Sequence, residues 1–301
     1  AIPMMWDFAE ANPLGEQAGD ISTTISNLAR IPASLPTMPH VGQVNSVSAD
    51  EHSLPDQSVG VWFTDPPYYS AVPYADVSDF FFVWLKRIIR DSSLLLRDAS
   101  DPSNVLTPKK RQICEMSFWD NVRYPDKDRT FFEDRMAAAF AEGRRELRED
   151  GVGSVVFAHK TTEGWEALLS GMIRGGWTIT GSWPIATEMA TRLRARESAA
   201  LATSVHLVCR PRPDDASVGD WGEVLRELPT RVGDWMERLQ NEGVRGADLV
   251  FACIGPALEI FSRYRKVETA DGKEVNLADY LLKVWEVVGR SALEQVLGTA
   301  E

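Results

Sequence analysis

Six residues, Val59-Gly60-Val61-Trp62-Phe63-Thr64, make a nearly unbroken apolar run that stops at Asp65-Pro66-Pro67-Tyr68. A short run of this kind, without polar alternation, predicts a strand buried on both faces of a parallel sheet. The prolines end it, because each lacks an N–H and fixes its own φ. Asp65 is then expected at the carboxyl edge of the sheet, the edge at which open α/β folds bind their ligands.

The rest of the chain supplies the elements for such a sheet. Residues 1–41 are rich in Ala, Pro, Asn, Ser and Thr and read as an irregular covering segment with one short helical signal over 20–29. Residues 42–50 suit a short strand and 53–58 a turn. A helix is expected over 76–90, and residues 91–129 read as a long insertion. Thr130 and Glu133 form a T-x-x-E capping box for a helix running to about 149. Further strands are expected over 153–158, 177–183 and 203–210, with a helix over 162–174. Apolar strands alternating with helices predict an α/β, doubly wound, Rossmann-like sheet. After Pro211-Arg212-Pro213 the pattern becomes helical, over 219–241, 247–263 (broken at Gly255-Pro256) and 275–297. The expected organisation is an N-terminal segment 1–41, a sheet region 42–210 and a helical C-terminal subdomain 211–301.

The tetrapeptide after the first strand has a definite chemistry. An exocyclic amino group carries two hydrogens; one can go to the Asp65 carboxylate and the other to the Pro66 carbonyl. The flat ring of Tyr68 can stack on the attached heterocycle. Such a site turns the nitrogen lone pair outward toward an electrophile. Taken alone, D-P-P-Y reads equally as a turn that ends a strand.

The wider context resembles the S-adenosylmethionine-dependent amino-methyltransferases, whose catalytic motif is [DNS]-PP-[YF] after a sheet strand. The matching stretch runs Ala49-Asp50-Glu51, then Leu54-Pro55-Asp56-Gln57-Ser58-Val59, then Thr64-Asp65-Pro66-Pro67-Tyr68-Tyr69. Four further segments are similar to the zinc-ribbon adenine-specific DNA methylases of bacteria and archaea. These are Met4-Met5-Trp6-Asp7-Phe8-Ala9-Glu10-Ala11-Asn12-Pro13, Tyr74-Ala75-Asp76-Val77-Ser78-Asp79-Phe80-Phe81, Ala158-His159-Lys160-Thr161-Thr162 and Gly255-Pro256-Ala257. The resemblance implies a restriction-modification type of activity: methyl transfer from S-adenosylmethionine to adenine N6 of DNA. Asp65, Pro66, Pro67 and Tyr68 would be catalytic, with the target adenine flipped onto Tyr68. Asp50 would meet the cofactor. The same motif also serves enzymes acting on RNA or on a protein amide, and a degenerate fold of this kind can act as a binding subunit without catalysis.

Two parts of the resembled pattern are missing. Neither the zinc ribbon nor the Gly-rich loop D-x-F-x-G-x-G, which binds the methionine end of the cofactor, is found; Gly151-Val152-Gly153 lacks the required preceding strand. The first residue is Ala1, and the expected strands correspond to the later ones of the fold. The chain is therefore expected to be the C-terminal part of a larger methylase, with DNA and the remaining N-terminal part as partners and weak cofactor binding of its own.

Other residues carry less information. Tyr69 and Tyr74 could line a base pocket, although aromatic packing is the commoner fate. Lys160 could reach a phosphate; a helix cap at Lys160-Thr161-Thr162 is the preferred reading. Arg192, Arg194 and Arg196 either track phosphates or form a solvated loop. Phe80 to Trp84 and His206 are expected in the core. Lys plus Arg is 32 and Asp plus Glu 44, so the charge is 32 − 44 = −12. That is a poor surface for gripping nucleic acid unaided. Three scattered cysteines offer no metal spacing and suit buried thiols in a reducing cytoplasm. No apolar run approaches the roughly 20 residues that span a bilayer.

Overall fold

The computed structural model describes residues 12–15, 20–34, 40, 42–45, 47–89, 105–159, 161–186, 203–244 and 247–297. It divides into two units, Ala1–Asn45 and Ser46–Glu301. Among its described residues the first contains one helix, α1 (Ile21–Ser34). Asp20 caps it, accepting the Thr23 N–H at 2.5 Å and the Thr23 hydroxyl at 3.0 Å. Ile21, Ile25, Leu28 and Ile31 form an exposed stripe along this helix.

The expected strand at 42–50 is not found; the described residues there are coil and turn. The strand before the motif forms over the residues expected, as β1 (Val59–Thr64). It is followed by α2 (Tyr74–Ile88), α3 (Arg129–Glu146), β2 (Leu147–Phe157), α4 (Thr162–Arg174), β3 (Trp177–Ala186) and β4 (Thr203–Pro211). These strands make one sheet in the order β1-β2-β4-β3. β1 and β2 are parallel, with Thr64 opposite Val155. β4 is antiparallel to both β2 and β3, with Leu207 opposite Val155 on one side and Ser182 on the other. The α/β expectation is met, by a mixed sheet. The reversal at β4 brings four chain ends to one edge: those after Thr64 and Phe157, the end of β3 at Ala186 and the start of β4 at Thr203.

Two local details differ from expectation. Asp128 caps α3 rather than Thr130, its carboxylate accepting the Phe131 N–H at 2.9 Å. Thr130 instead lies inside the helix, and Glu133 pairs with Arg129 at 2.6 Å. Helix α3 also passes directly into β2 at Leu147, without a turn at Asp150-Gly151.

Burial is one-sided along β1. Trp62 stacks on Trp177 at 5.1 Å, and Trp177 donates from Nε1 to the Phe140 carbonyl at 2.8 Å. Helix α3 can approach this pair only because residue 143 is glycine; a Cβ there would lie 2.3 Å from the Trp62 ring. The alternate residues, Val61 and Phe63, are 69% and 62% exposed. Burial on both faces of β1 is thus not found among the described residues. β1 is an edge strand, and the elements described cover only the Trp62 side. Phe80, Phe81 and Trp84 on α2, expected in the core, are also exposed. That helix is tethered by polar contacts instead: Asp79 accepts from Lys109 Nζ at 2.7 Å and from the Thr107 N–H at 3.0 Å.

The C-terminal helices are not a separate subdomain. They are α5 (Trp221–Asn241), α6 (Ala247–Ala252), α7 (Ile254–Ser262) and α8 (Leu277–Leu297), with a short parallel pair, β5 (Val218–Asp220) and β6 (Lys266–Glu268), before α5 and before α8. On α5, Val224, Leu228, Val232, Met236 and Leu239 repeat at helical spacing and are all buried. Ser182 on β3 donates to the Ala252 carbonyl and accepts the Gly255 N–H at 3.2 Å, fixing the α6–α7 junction on the sheet. Sheet and helices share one apolar cluster, so the expected boundary at 211 marks no structural division. The three cysteines are free and buried, as expected. Among the described residues no helix is long and apolar enough to cross a membrane.

Candidate active site

β1 delivers Asp65 to the rim of the sheet, where it is exposed, while Pro66 behind it is buried. The chain then turns tightly, with the Tyr69 N–H donating to the Pro67 carbonyl at 2.9 Å. Tyr69 sits at φ 52, in the left-handed region. A non-glycine residue there costs on the order of 1–3 kcal/mol and persists only when its surroundings hold it. They do so in three ways. The Tyr69 hydroxyl donates to Glu163 Oε1 at 3.0 Å. Its ring packs edge-on against Phe132 at 5.2 Å and His159 at 5.8 Å. Its carbonyl accepts from Cys114 Sγ at 2.7 Å.

Tyr68 faces Asp65. Its hydroxyl lies beside the Asp65 carboxylate, and its pKa is pushed up to about 12, first by burial and then by that neighbouring carboxylate. The Ser204 hydroxyl, from the start of β4, lies beside the Tyr68 oxygen. The Tyr68 ring meets Phe157 edge-on at 5.4 Å. The Tyr74 hydroxyl lies near the Tyr68 backbone, and its pKa is raised, chiefly by burial. Asp65, Tyr68, Tyr74 and Ser204 therefore lie close together. Beside them, the Pro66 carbonyl has no hydrogen-bond partner among the described residues. The end of β1 thus places two acceptors at consecutive residues, an exposed carboxylate and the carbonyl of a buried proline.

The other candidates fall elsewhere. Tyr69 is only 6% exposed, with its hydroxyl taken by Glu163, so it braces the turn and does not line an open pocket. Asp50 is ion-paired with Arg135 and accepts from the Ser48 hydroxyl, an arrangement that occupies its carboxylate. His159, at the end of β2, accepts the Thr161 N–H on Nδ1 at 3.2 Å. Burial lowers its pKa and so favours the neutral ring. The preferred cap reading holds for Thr161, which accepts the Gly164 N–H at 3.2 Å. Lys160, Arg192, Arg194 and Arg196 lie outside the described residues. The sequence offered no sign of Ser204; its role appears only once β4 is seen to start at this edge. Nor did it point to Arg135 as the partner of Asp50.

The groups at the end of β1 are hydrogen-bond acceptors. Asp65 and the Pro66 carbonyl accept hydrogens and offer nothing to an anion or a carboxylate. Asp50, the residue expected to meet the cofactor, is engaged by Arg135 and Ser48. No protein-family model matches the chain, and no curated protein matches its sequence.

Proposed function

We propose that this chain is the amine-holding part of an S-adenosylmethionine-dependent DNA methyltransferase that modifies adenine at N6, the activity implied by the resemblance around Asp65-Pro66-Pro67-Tyr68. The observation that carries the reading is the pair of adjacent acceptors, the exposed Asp65 carboxylate and the Pro66 carbonyl, which has no hydrogen-bond partner among the described residues. Together they receive both hydrogens of an exocyclic amine and hold its lone pair outward. Tyr68, whose hydroxyl lies beside the Asp65 carboxylate, would help to position that acceptor before the base arrives. Asp65, at the solvent edge, then takes up the proton that the nitrogen releases after methylation.

The cofactor supplies the electrophilic methyl carbon. On this reading its Gly-rich loop belongs to the remaining N-terminal part of the parent protein. β1 is the edge strand on the Asp65 side of the sheet and leaves Val61 and Phe63 bare, which suits it to pair with a further strand. A second reading, a non-catalytic binding subunit, draws support from Asp50 being locked to Arg135.

The test is N6-methyladenine in plasmid DNA from cells expressing the full-length protein, measured by mass spectrometry. The expected result is methylation that falls about a hundredfold or more in Asp65→Ala, as loss of orientation at the reacting centre does. Full methylation by Asp65→Ala would overturn the site. No methyladenine from the unaltered protein would leave the binding-subunit reading standing.

A further inference from the structure

The rim opposite Asp65 carries the opposite chemistry. A cavity of about 270 Å³ opens there, lined by Arg144, Arg174, Arg212 and Arg265 with the Gly175-Gly176 turn and Asp214. It lies where β3 begins and β4 ends, since Trp177 pairs with Pro211. β1 and β2 start at this rim and run away from it. The six residues of β1 separate it from Asp65 by roughly 20 Å at the usual strand rise. It is therefore independent of the amine site.

The charges around this cavity do not balance. Arg144 pairs with Asp214, and Arg174 with Asp134 at 2.6 Å. Asp214 is itself 92% exposed and screens weakly. Arg212 and Arg265 have no carboxylate partner among the described residues. Four guanidiniums against two carboxylates leave two positive charges in one concavity, in a chain whose overall charge is −12.

Two of the arginines are also held rigidly. Arg212 donates to the Ile173 carbonyl at 2.9 Å and the Ser262 carbonyl at 3.2 Å. Arg144 donates to the Gly176 carbonyl at 3.1 Å and the Arg212 carbonyl at 2.8 Å. Carbonyls orient a guanidinium without neutralising it. The pKa of Arg212 is lowered, first by burial and then by the charge of Arg144, so the pair is crowded as it stands.

We infer that this cavity is a binding site for a phosphate dianion, either free or as the terminal monoester of a small molecule. Charge decides between phosphate types. A monoester carries about −1.5 to −2 at neutral pH and matches the two uncompensated guanidiniums. A diester in a nucleic-acid backbone carries half of that. Size points the same way: the volume is below the roughly 300–1,000 Å³ of sites that enclose whole small ligands, and suits a phosphate with a short stub. Arginine forks are the side chains best matched to phosphate oxygens.

The test is calorimetric titration of the protein with inorganic phosphate, phenyl phosphate and dimethyl phosphate. Saturable binding of the first two, with dimethyl phosphate about tenfold weaker or worse, is the expected result. The tighter of the first two identifies the source as free or esterified phosphate. Arg265→Gln and Arg174→Gln each weaken binding about tenfold, the usual loss for one charge-assisted hydrogen bond. Both side chains are exposed or half-exposed, so these variants keep the fold. Arg148→Gln, an exposed arginine outside the lining, leaves binding unchanged. Absence of saturable phosphate binding, an Arg265→Gln protein that binds as well as the original, or equal affinity for the diester would each overturn the inference.

Discussion

Neighbouring side chains of β1 meet different fates. Trp62 is packed between Phe140 and Trp177, while Val61 and Phe63, of comparable hydrophobicity, stand in solvent. The strand supplies apolar side chains to both faces, but α3 and the sheet cover only one. The contrast recurs between α5, whose apolar stripe is wholly buried, and α2, whose Phe80, Phe81 and Trp84 are bare. Hydrophobicity marks a surface as able to be buried; the layers packed on it decide whether it is.

The comparison can be tested by substitution, and the largest effect lies on the covered face. Trp177→Ala removes a fully buried ring and leaves a cavity beneath Trp62, so a loss of about 3–5 kcal/mol is expected in urea unfolding. A loss under 1 kcal/mol would mean that the Trp62 side is no better packed than the other.

His159 provides an intermediate case, because it is only half covered. Burial lowers its folded pKa, so the unfolded chain binds the extra proton more readily. The stabilisation is then complete above the ordinary imidazole range near pH 6.5 and is lost as pH falls through the lowered folded value. In His159→Gln that part of the acid sensitivity should vanish from a series of unfolding midpoints between pH 7 and 5. A steeper slope in the variant would show that the ring is not held neutral.

The smallest effect belongs to the bare face. Phe63→Ser should change unfolding stability by no more than about 0.5 kcal/mol, because the ring is already in water. A large destabilisation would show that Phe63 is covered in solution. The same variant should reduce any self-association seen by sedimentation, since exposed apolar surface promotes it.

The sequence revealed the elements better than their environment. β1 and α4 appear at the expected residues because an apolar run ending in two prolines and a threonine-capped helix are local signals. The N-terminal caps divide on the same ground. Thr161 was legible, whereas Asp128 was hidden by a capping-box pattern two residues later. β5 and β6 escaped notice because three-residue strands more than 40 residues apart carry no periodic signal. At the site, Asp65, Pro66 and Tyr68 could be read because the motif is contiguous. Ser204 and Arg135 could not, since only tertiary pairing brings one to Tyr68 and the other to Asp50. The exposure of Val61 and Phe63 was illegible for the same reason: a strand does not encode how many layers will cover it.

Tyr69 has a consequence for how such sites are recognised from text. On the proposed reading the letters D-P-P-Y spell out the groups that would face an amine, but the shape of the turn is held by the residue after them, at φ 52 and clamped by Glu163, Phe132 and Cys114. A search limited to four letters discards the position that tells a working turn from an accidental one. The informative word is five letters long, and its partners lie about 45 and 95 residues downstream, at Cys114 and Glu163.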